Sequence, residues 1–464
     1  MTLAFGGVAY AGYNVAVIAS SPSDQWHACV SNTGVVRAST MRLNSYPASC
    51  PRPTDTVRSW NASGPTGASG LNGATGATGL SGATGATGPS GVVVTPDPQS
   101  PGAIAASISA GGSISCLLLI DHTIKCLGNN QYGQLGNGST DTQSLVPVIV
   151  TGINNATSVS SGEAHSCALL IDNTIKCWGY NSNGQLGNGS AGGFSRVPLA
   201  VTGINNAISI SSGAYHSCAL LIDHTVKCWG SNNYWQLGNA SASINTNWPV
   251  PQAVTGLDNA TSISAGANHS CALLIDNTII CWGYNGNGGL GNSNASSVQS
   301  YQLWVVTGID NATAINAGPD HSCALLIDNT IKCWGSSNVG QLGKAAYWGY
   351  SSSSVPLSVD EISTAVAIST GYQYSCALLL DNTIKCWGYN SNGEIGNGIT
   401  GNVWSPVAVS GIDSATAISS AVGSTNCALL VDNTIKCWGS NASGQLENGT
   451  VGGFSRIPLP LSYR

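Results

Sequence analysis

Cysteine is the residue type in this chain whose spacing could do chemistry most directly, by binding metal or by forming disulfides. The chain has 16 cysteines, and fourteen of them form seven pairs whose members lie ten positions apart. Zinc sites favour short gaps and histidine partners, so we expect no metal and no cofactor. Fixed pairs predict disulfides in an oxidising compartment, which favours secretion. The predicted pairs are Cys116 with Cys126, Cys167 with Cys177, Cys218 with Cys228, Cys271 with Cys281, Cys323 with Cys333, Cys376 with Cys386, Cys427 with Cys437 and, apart from these, Cys29 with Cys50.

Histidine could also bind metal, and four of the seven histidines lie two positions before the first cysteine of a pair. Repetition around a ring would spread these four side chains rather than bring them together. We therefore interpret them as structural, hydrogen-bonding residues. His122 and His224 fall instead in predicted turns. The four recurrent histidines are His165, His216, His269 and His321.

The acidic residues give no evident catalytic pair. Seven of the 20 acids recur at one position of a predicted turn, where an aspartate accepts hydrogen bonds from nearby backbone amides. A glycosidase needs two carboxylates about 5–9 Å apart, and neither a G-x-S-x-G motif nor a P-loop occurs. We therefore expect no catalytic residues and no enzymatic activity. The recurrent acids are Asp121, Asp172, Asp223, Asp276, Asp328, Asp381 and Asp432.

The aromatic residues fall into a regular and an irregular set. Six tryptophans directly follow the second cysteine of a pair, a regularity that favours packing. The irregular aromatics lie in variable stretches, where such side chains suit contacts with protein or glycan; packing within the loops is an equal alternative. The candidate binding residues are Trp235, Trp248, Trp304, Tyr347, Trp348 and Trp404.

Composition excludes two classes of protein. Only 7% of the 464 residues are charged, and the formal net charge is -6. A nucleic-acid-binding protein needs a basic surface, so we expect no nucleic-acid partner. Because 42% of the residues are hydrophobic, the chain is not disordered through lack of apolar residues either.

Internal repetition organises the chain from residue 103 to residue 464. The second cysteines of successive pairs are separated by 51, 51, 53, 52, 53 and 51 residues. Each repeat has three or four short apolar runs separated by Gly, Asn and Ser, and no run has a helical period. We therefore predict an all-β array of small antiparallel sheets.

The spacing of each cysteine pair predicts a β-hairpin. If Ile171, Asp172 and Asn173 form a three-residue turn, the residues on either side pair outward until Cys167 faces Cys177. Opposed residues of antiparallel strands have Cα atoms about 4.5–5.5 Å apart, which a disulfide can bridge. Asn173 lies where a left-handed backbone is needed, and Asn or His recurs at this position.

Seven such sheets predict a closed ring, a seven-bladed β-propeller, because radial repetition leaves only short edges. A linear solenoid is the alternative, but it needs atypical repeats at its ends. The last repeat keeps the full pattern, and the first departs from it only slightly, with Leu127 in place of tryptophan.

The run from Trp178 to Gly189, WGYNSNGQLGNG, resembles the signature of the regulator of chromosome condensation repeat. So does the preceding Gly162-x-x-His165-Ser166-x-Ala168-Leu169 run. The resemblance covers about 360 residues and implies a seven-bladed propeller. The best-known member is a nuclear guanine-nucleotide exchange factor that binds chromatin, a role that the paired cysteines and the missing basic surface oppose. The chain looks more similar to secreted bacterial relatives, including an inhibitor of β-lactamase, which bind proteins.

The region before the propeller divides into four predicted segments. Residues 1–24 are an apolar segment and a possible export signal, and residues 25–60 are a small module closed by Cys29 and Cys50. Residues 61–91 hold nine G-X-Y triplets from Gly64 to Gly91, which predict a collagen-like stalk, because only glycine fits the axis of a triple helix. A flexible linker is the alternative for this segment, and residues 92–102 are a linker.

Together these features predict a secreted or cell-surface binding or adhesion protein, with a propeller head on a collagen-like stalk. Its partner would be a protein or glycan of unknown identity, and the chain itself a homotrimer or a polymer. We expect no membrane span in the propeller. The alternative is a structural subunit of an extracellular filament or sheath. A phage fibre tip and a secreted enzyme inhibitor are less favoured.

Overall fold

The computed structural model describes residues 104–240, 246–294, 299–347 and 349–461 and three earlier strands. The chain divides into two compact units, residues 1–94 and residues 95–464. In the first unit, β1 (Gln25–Val30), β2 (Arg42–Leu43) and β3 (Thr56–Asn61) form an antiparallel sheet in the order β2-β1-β3. The predicted export signal, stalk and linker, the Cys29–Cys50 disulfide and Trp348 lie outside the described residues.

The second unit has seven four-stranded antiparallel sheets, the blades, each built from consecutive strands paired in sequence order. A short 3-10 helix, Ala345–Tyr347, lies in the last loop of blade 5. The strands of blades 1 to 4 are β4 to β7 (Ala105–Ala110, Ile114–Leu119, Ile124–Asn129, Gln143–Ile149), β8 to β11 (Ala156–Ser161, His165–Leu170, Ile175–Tyr180, Phe194–Ala200), β12 to β15 (Ala207–Ser212, His216–Leu221, Val226–Ser231, Asn247–Ala253) and β16 to β19 (Ala260–Ala265, His269–Leu274, Ile279–Tyr284, Gln299–Val305). Those of blades 5 to 7 are β20 to β23 (Ala312–Ala317, His321–Leu326, Ile331–Ser336, Ser352–Ser358), β24 to β27 (Ala365–Thr370, Tyr374–Leu379, Ile384–Gly388, Val403–Ala408) and β28 to β31 (Ala415–Ser420, Thr425–Leu430, Ile435–Ser440, Phe454–Leu461).

The central hairpin of each blade has the predicted register. In blade 2, Cys167 is opposite Cys177 and Leu169 is opposite Ile175. Asn173 has a φ of 62°, and the Asp172 carboxylate accepts hydrogen bonds from the backbone and hydroxyl of Thr174. The paired Cα atoms are 4.1 Å apart in all seven hairpins, and each hairpin contains its disulfide. One disulfide per blade is therefore confirmed.

The hydrophobic core is divided among the interfaces between blades. One cluster joins Cys167 and Leu169 of blade 2 to Ala207, Ala219 and Trp229 of blade 3. The recurrent tryptophans are fully buried in such clusters, which confirms their packing role. Burying a side chain of this size stabilises the folded state by about 2 kcal/mol or more. Each part of the hydrophobic core is thus shared by two neighbouring blades.

The first strands of neighbouring blades contact one another around the ring axis. At every interface the side chain of a serine or asparagine in one first strand accepts a hydrogen bond from a backbone amide of the neighbouring first strand. This circuit includes the last interface, where the Ala110 amide donates to Ser419 Oγ over 3.0 Å, and apolar packing of Leu117 and Leu429 supports the closure. The acceptors are Ser109, Ser160, Ser211, Ser264, Asn316, Ser369 and Ser419. The predicted closed, seven-bladed ring is therefore confirmed.

The ring has two different faces. We call one the loop face; in blade 2 it comprises residues 162–164, between the first two strands, and residues 181–193, between the last two. The other is the hairpin face, which in blade 2 comprises residues 171–174 and the connection 201–206 to blade 3.

Candidate binding surface

The candidate aromatic residues lie on the loops and outermost strands of blades 3 to 6, and only part of the set comes together. Trp235 follows β14 and Trp248 lies on β15, both at the interface between blades 3 and 4, while Trp304 lies on β19 and packs against the cluster between blades 4 and 5. Tyr347 pairs with Tyr350 in blade 5, with ring centroids 4.7 Å apart. Trp404 lies on β27 in blade 6. The set is therefore not one binding site.

A groove of about 410 Å³ opens between blades 3 and 4. Trp304 lies along the groove and donates from Nε1 to Ser300 Oγ over 2.8 Å. The ring of Tyr301 meets that of Trp235, with centroids 5.2 Å apart. The lining has aromatic, aliphatic and uncharged polar character, and its residues are Ala240, Thr255, Tyr301, Gln302, Leu303 and Trp304.

Further aromatic residues pair across blade interfaces near the loop face. Tyr132 of blade 1 lies edge-on to Tyr180 of blade 2 at 5.0 Å, and Tyr234 of blade 3 lies edge-on to Tyr284 of blade 4 at 5.1 Å. Aromatic side chains combine a large apolar area with a polar atom, which suits them to recognition surfaces. The loop face is thus the aromatic face of the ring.

Glu163 and two tyrosines interact across the first loops of three blades on the same face. Glu163 and Asp320 lie in the first loops of blades 2 and 5, and partial burial raises the pKa of both carboxyl groups. Burial, and then the charge of Glu163, raises the pKa of Tyr215, which also interacts with Tyr372 of blade 6. Tyr215 and Tyr372 remain 42% and 47% exposed. This part of the face could contact uncharged or cationic groups.

The four recurrent histidines are fully buried between blades. His165 Nε2 donates to Ser217 Oγ in the next blade over 2.8 Å, and this hydroxyl donates to the Gln185 carbonyl oxygen. Each of the four makes such a contact with a serine of the following blade. Burial lowers the pKa of His165 to about 4 and that of His216 to about 3. These neutral side chains join the blades, in agreement with the structural interpretation.

The seven recurrent aspartates lie in the hairpin turns as expected. Hydrogen bonds from the threonine two positions later hold the pKa of these carboxyl groups, such as Asp172, below its usual value. No three potential metal-ligating side chains cluster anywhere in the described parts of the chain. The described residues include no helix with the length and apolar character needed to cross a bilayer.

The recurring blade motif matches a known repeat model, the regulator of chromosome condensation (RCC1) repeat, in all seven blades. One form of the model matches residues 105–134, 156–185, 207–236, 260–288, 312–341, 365–394 and 416–445. A second form matches residues 126–169, 175–220 and 223–273. The chain belongs to the RCC1 repeat family.

Two relatives illustrate how widely this family is used. The ultraviolet-B receptor UVR8 of Arabidopsis thaliana is 27% identical over 351 residues, which is 74% of this chain and 78% of the receptor. The human E3 ubiquitin-protein ligase HERC2 is 26% identical over 337 residues, 70% of this chain but only 7% of the ligase. Among solved structures, human WBSCR16 matches with a TM-score of 0.66 at 18% identity, over 73% of this chain and 94% of that one. This likeness concerns the fold alone.

Blade 3 of this RCC1 propeller departs from the repeat at the groove. Trp235 occupies the position at which the six other blades have glycine, and it keeps a φ of 66°, a rare conformation for a bulky residue. In blade 1, a Cβ atom on the equivalent Gly133 would lie 2.6 Å from the Ser195 carbonyl oxygen of the next blade. Such a side chain cannot fit unless the neighbouring outer strand is displaced. The equivalent glycines are Gly133, Gly184, Gly288, Gly340, Gly393 and Gly444.

The same interface lacks a backbone hydrogen bond that four others have. At those four, a loop amide donates to the outermost strand of the next blade, as Gly138 does to the Arg196 carbonyl oxygen. In blade 3, the equivalent amide of Ala240 donates instead to Thr255 Oγ1 in its own blade. The groove was not predicted from the sequence, although a tryptophan in place of the motif glycine is a visible signal for it. The four bonds are Gly138 to Arg196, Gly189 to Pro249, Ser293 to Ser354 and Gly398 to Arg456.

Proposed function

We propose that this protein is an extracellular binding or adhesion protein that presents the loop face of its propeller, together with the groove at the outer edge of blades 3 and 4, to a protein or glycan ligand. The aromatic groove between blades 3 and 4 carries the proposal, because its lining combines Tyr301 and Trp304 with uncharged polar groups. Recognition sites are typically concave and mainly apolar, with a few polar groups. The seven disulfides indicate an oxidising environment, which favours an extracellular location.

Catalysis is not part of this proposal, and several of the described acids have structural roles. Seven of them hold hairpin turns, as Asp172 does. Glu394 is fully buried and accepts hydrogen bonds from Asn392. Glu163 and Asp320 lie in separate blades.

The binding role is tested by adhesion of beads coated with the full-length oxidised protein to cells of the producing culture. A groove variant, Tyr301→Ala with Trp304→Ala, and a loop-face variant, Tyr215→Ala with Tyr372→Ala, should each lower bead retention several-fold. A matched hairpin-face variant, Ile171→Ala with Ile222→Ala, should leave it unchanged. If only the hairpin-face variant loses retention, the loop face is not the binding surface.

A structural subunit of an extracellular filament is the second candidate. Its support is a ring of exposed aliphatic side chains, one at the tip of every hairpin, which could pack against another ring. Electron microscopy of native material separates the two candidates, since it would show either discrete heads on stalks or continuous filaments. The exposed fractions range from 55% to 69%, for Ile120, Ile171, Ile222, Ile275, Ile327, Leu380 and Val431.

The collagen-like stalk predicted for residues 61–91 is part of the proposed function. Glycine at every third position from Gly64 to Gly91 has a structural role only if three chains wind together into a triple helix. The full-length protein should therefore be a trimer or a larger polymer. Light scattering should show that Gly76→Val weakens this oligomer without unfolding the propeller. A full-length protein that is monomeric would instead make this segment a flexible linker.

A further inference from the structure

The outermost strand of blade 4 lacks a residue that the other six outermost strands share. Those six strands have proline at one position, and blade 4 has Leu303 there. Proline removes a backbone donor and prevents another strand from pairing with an exposed edge. Blade 4 therefore has the least protected edge of the ring. The prolines are Pro147, Pro198, Pro251, Pro356, Pro406 and Pro458.

The backbone carbonyl of Leu303 points to the open side of this strand. The Val306 amide donates inward to the Ile279 carbonyl oxygen of β18 over 2.8 Å. Because backbone groups alternate in direction along an antiparallel pair, the Leu303 carbonyl and both backbone groups of Val305 point away from β18. The Leu303 amide, opposite an irregularity in the register, lies where six blades have proline, which has no amide to donate to the inner strand. Among the described residues β19 is the last strand of its sheet. The Leu303 carbonyl and the backbone amide and carbonyl of Val305 are thus spaced so that an added strand could pair with them.

The groove lies beside this open edge, at the interface between blades 3 and 4. Trp235 replaces glycine and meets Tyr301, and the Ala240 amide donates within its own blade. The Tyr301 carbonyl consequently lacks the amide from the preceding blade that its counterparts in four other blades accept. Blade 4 therefore combines an unprotected edge with an adjacent cavity.

The side chains around the edge indicate what could bind there. Leu303 packs towards the blade 3 cluster and Trp304 towards the opposite side of the sheet. An added strand would therefore place alternate side chains in the groove and over Trp304. None of the six residues that line the groove is charged, so a charged segment would lose hydration without gaining a partner.

We propose that the open edge of blade 4 binds an extended, uncharged and largely apolar peptide segment of a partner protein, which adds a fifth strand beside β19. This inference rests on the proposed binding function and narrows the ligand from protein or glycan to peptide. Backbone pairing with Leu303 and Val305 supplies affinity, and the groove selects the side chains.

The test uses a phage-displayed library of random peptides, selected on the full-length oxidised protein. Leu303→Pro is the decisive variant, because it restores the residue that six blades already have and should leave the fold intact. The selected peptides should be uncharged and mainly apolar, and Leu303→Pro should weaken their binding at least tenfold. Methylation of alternate peptide amides should weaken binding similarly. A control variant in another blade, Val146→Ala, should not change the affinity.

Two results would overturn the inference. One is selected peptides that bind Leu303→Pro as tightly as the parent protein, since backbone pairing would then not be involved. The other is a neutral oligosaccharide that binds the parent protein and is lost in Trp304→Ala, while no peptide is selected. Retained bead adhesion in either case would leave the proposed binding function standing and remove only strand addition.

Discussion

The interface between blades 2 and 3 and the interface between blades 7 and 1 hold neighbouring blades by different means. At the first, Trp229 Nε1 donates to the Gln185 carbonyl oxygen and His165 contacts Ser217. At the second, Leu127 and Thr425 occupy the tryptophan and histidine positions. The first-strand hydrogen bond and a contact between a cysteine sulfur and a serine hydroxyl are common to both interfaces. The ring therefore closes through the hydrogen bond between first strands and through apolar packing. It lacks the tryptophan and histidine hydrogen bonds that join blades 2 and 3.

Truncation of the regular tryptophan should have the largest effect. Trp229→Ala removes a fully buried side chain and one of the two hydrogen bonds that the Gln185 carbonyl oxygen accepts, so we expect a loss of about 3–5 kcal/mol in the free energy of unfolding. Leu127→Ala at the closing interface should cost less, because it removes fewer atoms and no hydrogen bond. Denaturant unfolding measures both. Equal losses would contradict the difference between the interfaces.

Acid should weaken the regular interfaces and spare the closing one. Burial lowers the pKa of His165 to about 4 and that of His216 to about 3, from an ordinary 6.5. The unfolded chain therefore binds more protons below pH 6.5, so stability is full above that pH and is lost as the pH falls towards 4. The expected slope is roughly 1.4 kcal/mol per pH unit for each histidine.

The variant His165→Ile, which copies Ile114 of blade 1, tests this origin of the acid sensitivity. It should reduce the slope of stability against pH between pH 6.5 and pH 4 by about one quarter, because four equivalent histidines contribute. Unfolding in denaturant at several pH values measures the slope. An unchanged slope would show that other groups cause the acid sensitivity.

Glu394 makes the interface between blades 6 and 7 sensitive to pH in the opposite direction. Burial raises the pKa of this carboxyl above its usual 4.5, so its contribution to stability is present at lower pH and is lost as the pH rises through the raised value. Glu394→Gln copies Gln185 and should stabilise the protein at pH 7, because it removes the cost of burying a charged carboxylate. The gain should shrink towards pH 4. Gln185→Glu is the reciprocal control and should destabilise the protein at pH 7.

The hydrogen bonds between first strands should show the smallest effect per residue. Ser419→Ala removes the acceptor of the Ala110 amide and should cost about 0.5–1.5 kcal/mol. Ser160→Ala removes the equivalent bond between blades 2 and 3. The closing interface has fewer other polar contacts, so Ser419→Ala should also raise amide exchange in β4 more than Ser160→Ala does in β12. The reverse order would contradict the comparison.

Local spacing made much of the propeller predictable. A ten-residue interval and a turn with Asn173 or His224 determine a hairpin register, because the contacts join residues close in the chain. The groove was not predictable as a unit. Its lining combines Ala240 and Thr255 with Tyr301 to Trp304, and sequence spacing does not specify such contacts between blades.

By itself, the sequence determined the number of blades, the disulfide in each hairpin and the buried role of the recurrent tryptophans, because each follows from a short-range pattern repeated seven times. Only the tertiary structure decided how the ring closes, through Ser419 and Ala110, residues more than three hundred positions apart. It also decided that Trp235, in the place of a glycine, would lie against Tyr301 of the next blade. Both depend on backbones from different repeats meeting at close range, where the space available to one side chain is set by its neighbour.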